Sequence, residues 1–410
     1  MNMKTLSDTD APGEIGRRYP AEHREIKDPE TGRILKQWTS APAYSYPLYY
    51  FIPSITADGK YMVFHSERTG WVQMYRLCFE TGEIVQLTEG RTHDSGWAMW
   101  CEKHLRGVYN QLSALNRVRN EVFYFQDDEI RSTHILTFKN RRVCFLPPGQ
   151  VPVSQTDISP DGKWFVIAHT DGTNLEKVLT ERRFRLNMNM PVDHEAVRNA
   201  IGETTLAVVC TDTGEYRRVA AYDHYFQHAL FIDNETILVN HPKNTVGMFR
   251  VDLNGENYRH LRPHTDIKAH GAHVCHQVIT QKGILYEAII LNEPETRAYL
   301  GKYDLKTDTF EEYKLPFHGR HHVGNDPGGE FLFFENQQDH DHCIYSLDIQ
   351  RDSGKILTRT LCKLRPYVRG GQREHAHPFL GPDRKSMFFT ALDENNISQI
   401  HEMDISDLGV

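Results

Sequence analysis

The 410-residue chain contains no uninterrupted apolar run near the roughly 18 residues that a membrane-spanning helix needs. The N-terminal Met1-Asn2-Met3-Lys4-Thr5-Leu6-Ser7-Asp8 is polar and lacks the apolar centre of a secretory signal, so the expected location is the cytoplasm and no membrane partner is expected. Cysteine is scarce and scattered. Cys78, Cys101, Cys144, Cys210, Cys275, Cys343 and Cys362 are odd in number and form no Cys-x-x-Cys pair, which excludes a disulfide framework and favours reduced thiols. Basic residues are outnumbered, 47 Lys and Arg against 55 Asp and Glu, for a formal net charge of −8. Nucleic acid is therefore not an expected partner, because phosphate binding needs clustered cations. A small anionic substrate is still compatible, since a local site can be positive inside an acidic protein. A Gly-x-Ser-x-Gly elbow, a phosphate-binding loop and a dinucleotide fingerprint in strand–turn–helix context are all missing, which removes those enzyme classes.

What the chain does have is strands that repeat. Ile55-Thr56-Ala57-Asp58-Gly59-Lys60-Tyr61-Met62-Val63-Phe64 and Ile158-Ser159-Pro160-Asp161-Gly162-Lys163-Trp164-Phe165-Val166-Ile167 share one grammar, an Asp-Gly turn feeding an apolar β-rich run. Weaker copies begin at Asp233, Gln281, Pro327 and Pro382. Following strands with Thr-Gly, Asn-Gly or Lys-Thr turns recur at Val72–Thr88, Leu206–Glu215, Gly247–Gly255, Ala298–Thr309 and Ile344–Asp348. A repeat of about 45–50 residues with roughly four short strands predicts a β-propeller. Six units are visible, and Glu121–Phe125 with Arg142–Leu146 supplies a seventh from the region 96–148. The expected fold is an all-β, seven-bladed propeller over 28–410, preceded by an N-terminal extension, 1–27. Asp28–Trp38 reads as a lone outer strand that pairs with the last blade and closes the ring. A helical insertion is expected at about 172–203, with one helix over Leu175–Arg185 and a second over His194–Ala200.

Histidine is abundant, at 23 residues, and its placement carries the chemistry. In successive repeats a histidine precedes the turn between the inner strands: His276, His322, His377 and, less regularly, His228. Equivalent positions in a propeller converge on the central channel. Gln372-Arg373-Glu374-His375-Ala376-His377 is the sharpest cluster. On an extended segment its two imidazoles would share one side. Imidazole is a common ligand for first-row metals, Gln372 can add an amide oxygen, and His322 can add a third nitrogen from the preceding blade. A mixed His/Gln site with open positions favours Mn²⁺, Fe²⁺, Co²⁺ or Ni²⁺ over closed structural zinc. The remaining histidine-rich stretches, His264–His276 and Asp339–His342, read mainly as loops.

Taken together, Gln372-Arg373-Glu374-His375-Ala376-His377-Pro378, His322 ahead of Asn325 and Gly329, His276 ahead of Gln281-Lys282-Gly283, and the early Tyr49-Tyr50-Phe51 and Gln86-Leu87-Thr88-Glu89-Gly90 resemble the oligogalacturonate lyase family. The resemblance implies a Mn²⁺-preferring site on His322, Gln372, His375 and His377, with His276 as catalytic base. It further implies β-elimination from a short uronide to a 4,5-unsaturated product in pectin degradation. Tyr49, His228, His241 and His273 are candidate substrate contacts, with His273 in reserve as base. The chain departs from the family in two places. Gly247 stands where the family carries an active-site arginine, and Tyr46-Pro47 replaces an early His-Arg pair. A metal-dependent propeller enzyme acting on another glycoside therefore stays open, as does a non-catalytic TolB-like binding propeller. The oligomeric state is not legible.

Overall fold

The computed structural model describes residues 11–96, 105–188, 190, 201–241, 247–262, 272–290, 297–317, 320–325, 330–336, 342–350, 352–366 and 372–408. Seven antiparallel sheets of four or five strands follow one another along the chain as the blades of a propeller. The repeated turn is built by side chains. The Thr56 and Ser159 hydroxyls donate to Asp58 and Asp161 at 2.6 and 2.7 Å, and each carboxylate also accepts the backbone N–H of the following Lys60 or Lys163. Gly59 and Gly162 sit at φ 70° and 75°, the left-handed conformation that closes such a turn without Cβ strain. In the last repeat Asp383 keeps the hydrogen bond to Lys385 N, and Arg384 takes the left-handed position at φ 59°.

Within each blade the second and third strands are the apolar ones. Tyr61–Ser66 with Gln73–Cys78, Glu121–Gln126 with Glu129–His134, and Trp164–Asp171 with Thr204–Cys210 bury Val63, Met74, Phe123, Phe165, Val166 and Val208 completely. These side chains lie on both faces of each sheet, so neighbouring blades pack face to face. One core cluster accordingly runs from Leu48 in the first blade to Tyr303 in the fifth. The helix Gly172–Asn187 follows Trp164–Asp171 in the third blade, while the second expected helix, 194–200, lies outside the described residues.

The N-terminal residues are woven into the sheets. Arg18–Tyr19 pairs with Ile84–Gln86 in the first blade, and Arg24–Lys27 pairs with Ile34–Gln37. Both short strands fall within 1–27, the span expected from sequence to be an extension; backbone pairing makes them outer strands instead. Ile34–Gln37 in turn pairs with Ser398–Asp404 of the seventh blade, Leu35 against Met403 and Gln37 against His401. Trp38 is buried against Phe79, its ring centroid 5.1 Å away, and its indole N–H donates to Glu402 at 2.8 Å.

Burying Leu35 and Trp38 is worth on the order of 2–3 kcal/mol each. Deleting residues 28–38 should therefore lower the thermal midpoint by several degrees and leave Ser398–Asp404 as an open edge prone to association. Calorimetry and light scattering check this, and an unchanged melting temperature would contradict it.

Three buried histidines make a second expectation. Burial holds His65 at a pKa of about 3 and His169 and His401 at about 4, below the ordinary 6.5. As pH falls below 6.5 the unfolded chain takes up protons that the native state refuses, so stability is undiminished above that pH and is lost below it. Each contributes roughly 2 kcal/mol of loss by pH 5. Asp157, which burial pushes up to about 6, acts in the opposite sense over the same window and offsets part of it. The urea midpoint should drop between pH 7.5 and pH 5, and less steeply in His401→Gln.

Candidate functional site

The innermost strands carry a repeated irregularity. In the fourth blade Gln227 pairs with Asn240 and Leu230 with Leu238, so His228 and Ala229 together oppose one residue, Val239. In the fifth, Cys275 pairs with Glu287 and Val278 with Leu285, so His276 and Gln277 oppose Tyr286. In the sixth, Arg320 pairs with Glu335 and Val323 with Phe333, so His321 and His322 oppose Phe334. These are β-bulges, which bend a strand and re-aim a side chain. His228 and His276 occupy left-handed backbone at φ 56° and 55°, and His377, two residues before the strand Phe379–Leu380, does so at φ 43°. That conformation costs an L-residue about 1–2 kcal/mol and persists only where surrounding structure imposes it.

The re-aimed rings meet. His375 and His377 stack with centroids 5.3 Å apart, and Tyr49 and Tyr50 lie 4.8 and 5.8 Å from the His377 ring. His228 lies 4.9 Å from Phe51 and 5.8 Å from Tyr49, while His276 is 6.2 Å from both Tyr50 and His228. Blades one and four are not neighbours in the ring, so the Tyr49–His228 contact is made across the channel. Five of the residues singled out in the sequence therefore converge: Tyr49, His228, His276, His375 and His377. His241, His273 and His322 lie on Thr236–His241, Ala272–Thr280 and Arg320–Asn325, with their side chains outside the described residues.

The His-x-His segment is not extended as expected. Gln372–Glu374 forms a 3₁₀ turn, and the left-handed His377 then brings its ring back over His375. Gln372 is buried, and its Oε1 accepts no hydrogen bond among the described residues. A buried amide oxygen in that state, on the same short segment as two stacked imidazoles, fits a divalent cation ligand set.

Sequence reading missed two carboxylates. Glu335 accepts the His377 backbone N–H at 2.8 Å and lies 3.3 Å from His375 Nδ1. Glu287, fully buried, accepts a hydrogen bond from His276 Nδ1. The available signal was a lone acid inside an apolar run, Leu285-Tyr286-Glu287-Ala288 and Phe333-Phe334-Glu335-Asn336. Tyr50 was also passed over. Its hydroxyl is held well above the ordinary phenol range, by burial first, then by Tyr49, Glu287, Cys275 and Glu335, so it stays protonated. His228 is pushed down to about 3 by burial and next by His276, so it stays neutral.

Cys275, His276 and Glu287 also bring donor atoms within 4.8 Å of one another. Ligand atoms on a tetrahedral zinc would stand about 3.3 Å apart. Nδ1 and the Glu287 carboxylate are closer than that, in direct hydrogen bond, so the pair reads as a dyad and not as an ion cage. Arg373, beside Gln372, turns to Glu67 and lies over the Tyr44 ring at 4.2 Å. Gly247, where the family resemblance calls for arginine, opens the strand Gly247–Asp252 and is buried.

No helix among the described residues is long and apolar enough to cross a membrane. No family model matches the sequence, and no curated protein sequence matches it either. Solved structures do match in fold. An oligogalacturonate lyase from Vibrio parahaemolyticus superposes with a TM-score of 0.76 at 16% identity, covering 96% of this chain and 99% of that one. An oligogalacturonate lyase in complex with manganese superposes with a TM-score of 0.75 at 17% identity, covering 96% and 98%. At that identity the likeness establishes the propeller: this chain has the seven-bladed fold seen in oligogalacturonate lyases, over nearly its whole length.

Proposed function

We propose that the protein is a metal-dependent lyase that cleaves short uronides of the oligogalacturonate type by β-elimination. The observation that carries this reading is the stacking of His375 on His377, with Tyr50 in ring contact with both His377 and His276 and with Gln372 Oε1, three residues before His375, buried without a hydrogen bond among the described residues. The fold likeness, including a lyase described with manganese, supports it.

His322, Gln372, His375 and His377 would hold the ion, with Mn²⁺ favoured and Fe²⁺, Co²⁺ or Ni²⁺ admitted by the same donor set. When bound, such an ion supplies Lewis acidity that neutralises charge on a uronate carboxylate and makes the C5 proton easier to remove. The chain's own residues do the rest. Because Nδ1 of His276 is committed to Glu287, Nε2 is the nitrogen left to accept a proton. His276 takes the C5 proton, the C4–O bond breaks with its electrons leaving on the glycosidic oxygen, and the C4–C5 double bond forms. Tyr50, kept protonated, is a donor in the same ring cluster. Tyr49 and Phe51 pack their rings against His377 and His228 and wall the space. We place Tyr49, His228, His241 and His273 as substrate contacts and the enzyme in the cytoplasm, acting in pectin-fragment breakdown. A second reading, the same metal with another glycoside as substrate, is favoured by one observation. Gly247 stands where a carboxylate-binding arginine is expected, and Arg373 is already engaged by Glu67.

Elemental analysis of protein purified without chelator or nickel resin should find about one equivalent of divalent metal. His375→Ala/His377→Ala should lose it, and Glu335→Ala should weaken it by roughly 10–100-fold. His322→Ala should lose it while His321→Ala keeps it; the reverse would move the ligand one residue along the bulge. Full metal retention in the double variant would refute the site.

His276→Ala should keep its metal and lose at least about a hundredfold in kcat on oligogalacturonate, followed by the ultraviolet absorbance of the unsaturated product. Near wild-type elimination by His276→Ala, with His273→Ala inactive, would transfer the base to His273. If both stayed active, His228 and His241 would be next.

A further inference from the structure

We infer that Glu287 is a positioning residue for His276, fixing the imidazole as its Nδ1–H tautomer and balancing, with its own negative charge, the positive charge that forms on the ring when Nε2 takes a proton. This rests on His276 being the base. The argument starts from one backbone position followed through the blades. On the second strand of a blade, the residue paired with the last inner-strand residue before the bulge is Asn240 in the fourth blade, Glu287 in the fifth and Glu335 in the sixth. In the seventh the matching residue is Thr390, whose backbone N–H donates to Ala376, the residue before His377. All four side chains are buried, Glu287 without measurable exposure and Glu335 at 1%.

Neutral side chains fill this position in the fourth and seventh blades, so packing does not require a carboxylate there. Placing an ionised one in the interior costs several kcal/mol unless it is hydrogen-bonded to a partner that needs its charge. Glu335 has such partners in the His375 ring and the His377 backbone. Glu287 has His276 Nδ1. An ionised carboxylate can only accept, so the proton of that bond belongs to Nδ1, and in the neutral imidazole Nε2 is then the unprotonated nitrogen. Cys275 Sγ, 3.4 Å from the same nitrogen, is a much weaker partner and would not hold the tautomer by itself. When Nε2 gains the substrate proton, the imidazolium forms beside a fully buried carboxylate. The low local dielectric there makes the attraction larger than in water. No proton need leave Nδ1 for the step to balance: one proton moves from C5 to Nε2, and Glu287 stays ionised throughout.

The test uses the metal-loaded enzyme and compares Glu287→Gln, Glu287→Asp and His276→Ala. Glu287→Gln preserves volume and an amide acceptor, so a purely structural role predicts little change. Positioning predicts a fall in kcat of about a hundredfold with KM within about threefold and metal content unaltered, partly rescued in Glu287→Asp. A second readout is independent of turnover: nitrogen-15 spectra of histidine-labelled protein carrying a diamagnetic ion. Wild-type His276 should be the pure Nδ1–H tautomer, and Glu287→Gln a mixture. Unchanged kcat in Glu287→Gln while His276→Ala is inactive would overturn the inference and leave the base assignment standing. A fixed tautomer lost in Glu287→Gln, together with an active His276→Ala, would uphold the positioning contact and overturn the base. Should Glu287→Gln fail to fold, the wild-type spectrum decides alone: a mixed or Nε2–H His276 overturns the inference.

Discussion

A two-against-one step in the innermost strand is the constraint on which the site depends. In a propeller both faces of every sheet are packed on neighbouring blades, and a regular strand sends its side chains alternately to those two faces. Only the edge of the innermost strand looks into the channel, and an edge presents backbone. A side chain reaches the axis where the pleat is broken. The bulges at His228 and His276, and the left-handed backbone at His377, are such breaks. They bring rings from the first, fourth, fifth and seventh blades into contact.

That arrangement is costly, and the surroundings show how the cost is met. Left-handed histidines are held by rings packed on them: Tyr50 stacked and Tyr49 edge-on against His377, and Phe51 edge-on against His228. Backbone hydrogen bonds do the same, as in His377 N–H to Glu335. The aromatic segment Tyr49-Tyr50-Phe51 thereby supplies both a wall for the channel and the restraint that keeps the imidazoles turned inward. Burial then sorts the titratable groups. His228 is neutral and Tyr50 protonated at neutral pH, whereas Glu287 and Glu335 are placed against the Nδ1 atoms of His276 and His375. His276 and the His375–His377 pair thus each have their own carboxylate, Glu287 for the first and Glu335 for the second.

How much of this could be read in advance differs from residue to residue. The Thr/Ser-x-Asp-Gly-Lys turns announced themselves because each is made by residues within five positions of one another, and local hydrogen bonds leave a local pattern. The repeat length followed from them and their weaker copies, while the seventh blade was read from the strand-like runs Glu121–Phe125 and Arg142–Leu146. His375 and His377 were visible as a pair, although the segment that carries them turns through Gln372–Glu374 rather than running extended. Glu287 and Glu335 were hidden because an acid in an apolar strand has no meaning until its partner is known. The partner of Glu335 lies 40 residues away in the next blade.

The amino-acid sequence by itself determined the blade grammar and the all-β class, and it singled out the histidines and the glutamine as candidates, since each depends on residue type and short-range spacing. The tertiary structure decided which histidines face one another, which nitrogen of His276 is engaged and which carboxylate holds it. Those are contacts across bulges and between blades. Their distances depend on where backbone irregularities fall, and a one-residue change in register moves a side chain to another face.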